Sequence, residues 1–328
     1  MPAGLIQIGS RLPEWLRARS AHHPSVTALK RDLRRLHLHT VCESARCPNL
    51  HECFHRGTAT FLILGDRCTR NCGFCSVAKE SPLALDPDEP ANVARMAARM
   101  GLRYVVITSV TRDDLADGGS AHFAETVRRV RQALPEAGVE VLTPDFRGDL
   151  DAVARVVDAG SGVFNHNLET VERLYARVRP RADYFRSLEV LRFAKRRRPE
   201  ALTKSGLMVG LGETPAEVEA SLGDLRRADV DVVTIGQYLQ PARRNLPVAE
   251  YVTPGQFEAY RRRGLSLGFR TVFSGPLVRS SYMAGRVAGE PQPTGRAPAG
   301  RQGASRRGDA AQKEQSTVES PLTEGAAC

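Results

Sequence analysis

A chain of 328 residues with 41% hydrophobic content can form one large α/β domain with appendages. No apolar run approaches the ~18 residues of a membrane-spanning helix, and residues 1–19 lack the apolar segment of a secretory signal. The formal charge of +10 belongs to the body, because the residues from Arg286 onward carry six Lys/Arg against five Asp/Glu; such a body suits a nucleic acid, an acidic protein partner or a merely solvated, arginine-rich surface.

In chain order, residues 1–41 read as a basic arm with Trp15 as its anchor. A short amphipathic helix over 27–37 aligns Leu29, Leu33 and Leu36. From residue 58 the text becomes periodic. Apolar runs at 60–64, 104–108, 139–142, 163–167, 205–209, 232–235 and 271–273 read as strands. Helices are expected over 92–100, 121–134, 150–158, 171–178 and 185–198. Two more begin at Thr214-Pro215-Ala216-Glu217 and Thr253-Pro254-Gly255-Gln256, each a capping residue followed by proline. Roughly six β–α units at this spacing mean a parallel sheet, either doubly wound or curled into a barrel. The run Lys195-Arg196-Arg197-Arg198 suits a solvated helix end. Residues 289–328 are rich in Pro, Gly, Ala, Ser and charge without periodicity, the composition of a disordered tail in which Cys328 is a bystander.

Six of the seven cysteines fall within residues 42–75, in two triplets. Cys42, Cys47 and Cys53 are spaced C-x4-C-x5-C, and Cys68, Cys72 and Cys75 are spaced C-x3-C-x2-C. Three thiolates on one short loop can reach three corners of a 4Fe–4S cube and leave the fourth iron open to an exchangeable ligand. A zinc site wants four ligands in a closed shell, and His51 and His55 keep that reading alive for the first triplet. Disulfides are the third reading, and they suit this density of cysteines poorly without a secretory signal.

The second triplet, with Phe74 just before its last cysteine, resembles the radical S-adenosylmethionine superfamily. The upstream triplet with Pro48-Asn49 and Gly57-Thr58-Ala59-Thr60-Phe61 resembles lipoyl synthases. So do Asp145-Phe146-Arg147-Gly148, Phe164-Asn165-His166-Asn167, Gly210-Leu211-Gly212-Glu213-Thr214, Gly236-Gln237-Tyr238-Leu239-Gln240-Pro241 and Arg279-Ser280-Ser281-Tyr282. The likeness spans about residues 42–282 and departs at Met283, where the family often has His, and in the tail.

This resemblance implies an α/β fold: a partial (β/α)6 TIM-like barrel over 58–288, with an N-terminal cluster-binding extension over 1–57. It implies two 4Fe–4S clusters and S-adenosylmethionine. Cys68, Cys72 and Cys75 would hold the cluster that cleaves the cofactor to a 5′-deoxyadenosyl radical. Cys42, Cys47 and Cys53, with Ser281 or Ser280, would hold a sulfur-donating auxiliary cluster, in which oxygen is a poorly matched and labile ligand. Thr108, Ser109, Asn165, His166, Asn167, Gly210, Gly212, Gln237 and Tyr238 sit at expected strand ends, where a cofactor would lie. The expected Gly-Gly-Glu after the second strand is replaced by Thr108-Ser109-Val110. The implied reaction inserts two sulfurs at C6 and C8 of an octanoyl chain on a carrier-protein lysine. The implied partners are octanoylated lipoyl domains of 2-oxoacid dehydrogenases or the glycine cleavage H protein, a flavodoxin or ferredoxin as reductant, and a cluster-repair protein. Neither nucleic acid nor membrane is expected, and the expected compartment is the cytoplasm. Two other classes are a radical methylthiotransferase acting on RNA and a non-catalytic two-cluster electron carrier. Salt-sensitive transfer-RNA binding would mark the first, and failure to bind S-adenosylmethionine the second.

Overall fold

The computed structural model describes residues 12–16, 24–44, 49, 53, 58–282 and 284–288, all within one contact unit, Met1–Glu290. Cys47, His51, His55, Met283 and residues 289–328, and with them the expected tail and Cys328, lie outside the described residues.

Eight strands form one open sheet in sequence order. They are β1 (His39–Thr40), β2 (Thr58–Ile63), β3 (Tyr104–Ser109), β4 (Gly138–Leu142), β5 (Val163–Asn165), β6 (Leu202–Val209), β7 (Val232–Gln237) and β8 (Thr271–Gly275). β2 to β8 pair in parallel, whereas β1 adds antiparallel on the outer edge of β2. The parallel part therefore has seven strands, and the short run at 271–273 is a full member rather than a fringe. β1 was not expected. It is too short to show a period, and only its pairing with Phe61 and Leu62 defines it.

Helices return the chain between the parallel strands, as parallel pairing requires. The principal ones are α3 (Glu89–Arg99), α4 (Ser120–Ala133), α5 (Leu150–Asp158), α7 (Tyr184–Arg197), α8 (Pro215–Arg227) and α9 (Pro254–Ser266). α1 (Pro24–Arg35) and α2 (Val41–Ser44) belong to the arm, and α6 (Tyr175–Val178) is one turn. The single helix expected over 171–178 is thus a 3-10 turn, Glu172–Leu174, followed by α6. The Thr214 capping box forms in full, and Thr253 caps α9 through the Gln256 amide.

Alternation along the strands sorts two apolar layers. On β3, Val105 and Ile107 join Phe61, Val141, Phe123 and Val153 in an outer core under the helices. Val233, Ile235, Leu222 and Phe257 belong to a second outer core. Tyr104 and Val106 face the other way and bury Ala284, from the 3-10 segment Ala284–Ala288, within the barrel. The interior also holds charge. Lys204 and Glu140 are both 0% exposed and meet at 2.9 Å, with the Asn165 amide and the Tyr104 hydroxyl completing the carboxylate's partners. In the arm, Leu16 is 2% exposed while Trp15 is 42% exposed, so leucine is the anchor where tryptophan was expected. The basic run ending α7 is paired throughout: Lys195 with Asp231, Arg196 with Glu189, Arg197 with Asp158 and Arg198 with Glu200.

Candidate functional site at the barrel mouth

The second cysteine triplet lies on the loop that leaves β2, at the C-terminal end of the parallel sheet. Its first turn is held in an unusual shape. Leu64 has a left-handed backbone, φ 67°, and two buried side chains grip it. Glu89 accepts its N–H at 2.8 Å, and Arg112 donates to its carbonyl at 3.3 Å. His122 braces Glu89 at 2.7 Å.

Beyond this turn the loop is fastened from three sides. The Cys68 N–H bonds the Ala78 carbonyl, which closes the loop's base. From β3, the Thr111 N–H donates to the Cys68 sulfur at 3.3 Å. From the β5 side, the Gly73 N–H bonds the Val178 carbonyl. From the β7 side, Asn245 donates to the carbonyls of Gly73 and Cys75 at 3.1 and 2.9 Å. Inside the loop, Arg70 is 5% exposed and forks onto Asp113 and Asp145. Asp145 pays for its burial with these bonds; although desolvation opposes it, the Arg70 guanidinium holds its carboxyl down at about 2.

Cys68, Cys72 and Cys75 are half-buried thiols, and no described cysteine is in a disulfide. Burial raises the Cys72 thiol against the pull of Arg179, and burial pushes Cys75 up to about 11. Binding iron at these sulfurs therefore has to expel protons. Among the described residues, no three His, Cys, Asp or Glu side chains gather closely enough for a single metal ion. The three sulfurs are spread along the loop.

The strand ends facing this loop divide into two kinds. Some expected residues are satisfied within the protein. Thr108 donates to the Leu142 carbonyl, Gln237 bonds the Tyr238 and Glu250 carbonyls and the Val252 amide, and Tyr238 donates to the Leu246 carbonyl. Gly210 and Gly212 have left-handed φ angles of 96° and 108°. A side chain at Gly210 would meet the Gln237 amide nitrogen at 2.2 Å, so the close approach there is to protein. The amides of Gly210 and Leu211 are taken by the Glu213 carboxylate.

The other kind carries buried polar atoms with no partner among the described residues: Ser109 Oγ, Thr143 Oγ1, Asn165 Oδ1, His166 Nε2 and Asn167 Oδ1. All five belong to the C-terminal ends of β3, β4 and β5. Buried polar atoms are normally paired, so such a cluster could receive a polar ligand. His166 shows which kind. Its Nδ1 faces the Thr143 carbonyl at 2.8 Å and must carry the proton, so Nε2 is an acceptor. Burial and Arg179 depress its pKa to about 4, and the ring stays neutral.

Two charged residues missed by the sequence reading complete this wall. Arg179 is 8% exposed and bonds the carbonyls of Asn167 and Leu168, with Nε left unpaired. Glu169 has a left-handed φ of 66°, accepts from Asn167, and is raised by burial. The only sequence signal was a glutamate two residues after the polar strand end Asn165-His166-Asn167.

The first triplet's segment is joined to the serine-motif loop through Asn49. Cys42 is buried in α2, and Cys53 is half-buried one turn beyond Asn49, whose carbonyl accepts the Cys53 N–H. Asn49 itself is 7% exposed and donates to the Leu277 carbonyl at 2.8 Å. The loop 277–282 then crosses above β7, where Gly236 leaves room: a side chain there would strike the Val278 carbonyl at 2.1 Å. Ser280 accepts from Asn167 at 2.6 Å, and Ser281 is half-buried beside it.

Comparison with known proteins gives this geometry a family. Residues 62–225 match the radical SAM superfamily, and residues 7–47 match the N-terminal domain of lipoyl synthase. A lipoyl synthase of Rubrobacter xylanophilus is 56% identical over 272 residues, covering 83% of this chain and 85% of that protein. One from Caldanaerobacter subterraneus subsp. tengcongensis is 56% identical over 274 residues, covering 84% and 96%. Among solved structures, HydG, a maturase of the [FeFe]-hydrogenase, shares the fold with a TM-score of 0.51 at 12% identity, covering 75% of this chain and 71% of that one. Nothing in these likenesses favours the RNA methylthiotransferase alternative. The chain belongs to the lipoyl synthase family of the radical S-adenosylmethionine superfamily.

Proposed function

We propose that this chain inserts two sulfur atoms, at C6 and C8, into an octanoyl chain carried on a protein lysine, giving the lipoyl group. The observation that carries the reading is the meeting, at one barrel mouth, of the fastened Cys68-Cys72-Cys75 loop with buried polar atoms that lack partners. Cys68, Cys72 and Cys75 would hold one 4Fe–4S cluster with S-adenosylmethionine on its open iron. Cys42, Cys47 and Cys53, with Ser281 or Ser280, would hold the second. Bound there, these groups supply a 5′-deoxyadenosyl radical able to take hydrogen from an unactivated carbon, and the sulfur that replaces it.

The chain's own residues do the positioning. His166 offers a bare acceptor nitrogen to a hydroxyl donor of the cofactor, and Asn165 and Asn167 offer acceptor oxygens beside it. Arg179 brings an unpaired Nε and a positive charge toward Cys72, which suits a carboxylate bound on the open iron. Ser109 and Thr143 extend the polar wall. The substrates on this reading are octanoylated lipoyl domains of 2-oxoacid dehydrogenases or the H protein, with a flavodoxin or ferredoxin as reductant and a repair protein that rebuilds the auxiliary cluster. No helix is long and apolar enough to cross a membrane among the described residues, and the reaction suits the cytoplasm.

The test is anaerobic incubation with an octanoylated lipoyl-domain peptide, S-adenosylmethionine and a reductant, read by mass spectrometry. Product carrying two sulfurs, with 5′-deoxyadenosine and methionine, is the expected result. Rebuilding the clusters with heavy sulfide should place heavy sulfur at both positions, with no more than one product per chain when no repair protein is present. Peptide that gains no sulfur overturns the reading, and unlabelled product overturns the sacrificial role of the auxiliary cluster.

A further inference from the structure

The described surface has an open groove of about 560 Å³ beside the cysteine loop. Its walls are both flanks of that loop, 68–71 and 79–82, together with Pro180 and Arg181. None of the five unpartnered mouth atoms lines it. The groove therefore reaches the loop through residues 68–71 without including those atoms.

The charge in this groove is uneven. Arg70 is neutralised by Asp113 and Asp145, and Glu80 is engaged by Arg67 at 3.4 Å. Lys79 is exposed, and among the described residues no carboxylate lies within ion-pair distance of it. Its ammonium donates to the Cys72 carbonyl at 3.1 Å. Arg181 is 56% exposed, donates to the Thr69 carbonyl at 2.8 Å, and reaches Asp113 only at 3.9 Å. Two solvent-facing cations thus rest on the backbone of the loop that carries the thiols. An open groove with a basic floor fits a brief, charge-steered protein encounter better than a small-molecule pocket.

We propose that this groove is the docking site for a small acidic electron-transfer protein, and that Lys79 and Arg181 are its charge contacts. The proposal rests on the functional reading above, which needs an electron delivered to the Cys68-Cys72-Cys75 cluster for each cofactor cleaved. In the step assigned here, one electron leaves the donor's reduced flavin or iron–sulfur group, and the cluster takes it up. The donor is oxidised by one electron, the cluster is reduced by one, and no bond or proton changes place.

The test uses the cluster-loaded full chain and its Lys79→Glu/Arg181→Glu variant. Binding of an oxidised flavodoxin or ferredoxin is titrated at low and high salt, and S-adenosylmethionine cleavage is driven either by that protein or by dithionite. The expected variant binds the protein donor at least ~10-fold more weakly and loses most of the salt dependence. Its cleavage slows with the protein donor and stays within about twofold of the parent with dithionite. Unchanged binding overturns the docking site. An equal loss with both reductants also overturns it, because the two cations would then act only by holding the loop. Failure of the unmutated chain to cleave the cofactor with dithionite would instead remove the functional reading beneath the proposal.

Discussion

The side-chain amide of Asn167 donates to the Ser280 hydroxyl at 2.6 Å, tying the end of β5 to a loop 113 residues downstream. That hydroxyl is consequently occupied from the barrel side, while its neighbour Ser281 is not drawn into this bond. The two serines of the motif should therefore differ. Ser281→Ala is expected to cost the auxiliary cluster an iron ligand and stop sulfur insertion while cofactor cleavage continues. Ser280→Ala and Asn167→Ala should behave as losses of an orienting partner, lowering sulfur insertion by ~10–100-fold. Iron and sulfide counts with Mössbauer spectra of the three variants decide it. An intact auxiliary cluster in Ser281→Ala would return the role to Ser280.

Replacing Cys68, Cys72 or Cys75 by Ala should abolish 5′-deoxyadenosine formation, since each removes a proposed thiolate from the cluster that delivers the electron. Replacing Cys42, Cys47 or Cys53 should leave it detectable and stop sulfur insertion. Near-normal cleavage by a second-triplet variant, measured by chromatography, would overturn the division of labour between the triplets.

His166 makes a prediction about acid. Its folded pKa of about 4 lies below its ordinary 6.5, so the unfolded chain binds a proton over this window and the folded chain does not. Stability should fall as pH drops from 6.5 toward 4, by up to ~3 kcal/mol from this group. Urea melts of the metal-free protein at pH 7 and pH 5 measure the drop, and His166→Gln should flatten it. An equally steep drop in the variant would assign the acid sensitivity elsewhere.

The interior ion pair predicts an asymmetry. Lys204→Met strands the Glu140 carboxylate in the barrel and should cost ~3–5 kcal/mol. Adding Glu140→Leu should recover much of that loss, because a buried pair costs less to replace than to break. Thermal melts of the single and double variants test it, and a double variant no more stable than the single would show that the pair's own contacts dominate.

This pair also shows where sequence reading ends. The strands were legible because each is a short, nearly continuous apolar run, as at 104–108 and 232–235. Lys204 within Leu202–Val209 looks like any surface lysine until Glu140, 64 residues earlier, is placed against it. The cysteine triplets and the serine motif were legible as local spacings. Which strand-end residues remain open to a ligand was not. Gln237 and Gly210 read as lining, yet they spend their groups on the Glu250 carbonyl and the Glu213 carboxylate. Arg179 and Glu169 were invisible for the converse reason: their burial is set by long-range packing, and charged residues in a loop are usually solvated.

The bond from Asn49 to the Leu277 carbonyl joins positions 228 residues apart. On the ribosome, Cys42 and Cys53 are made early, and the loop that receives their arm is made near the end of the barrel. At ~5–20 residues per second, the interval is on the order of ten to fifty seconds. Throughout it Asn49 lacks that anchor, and the half-buried Cys53 one turn beyond it is the more open to oxidation or to a stray metal ion. The order of translation thus sets a schedule for maturation: a cluster delivered to the arm before Leu277 has folded into place would find only part of its seat.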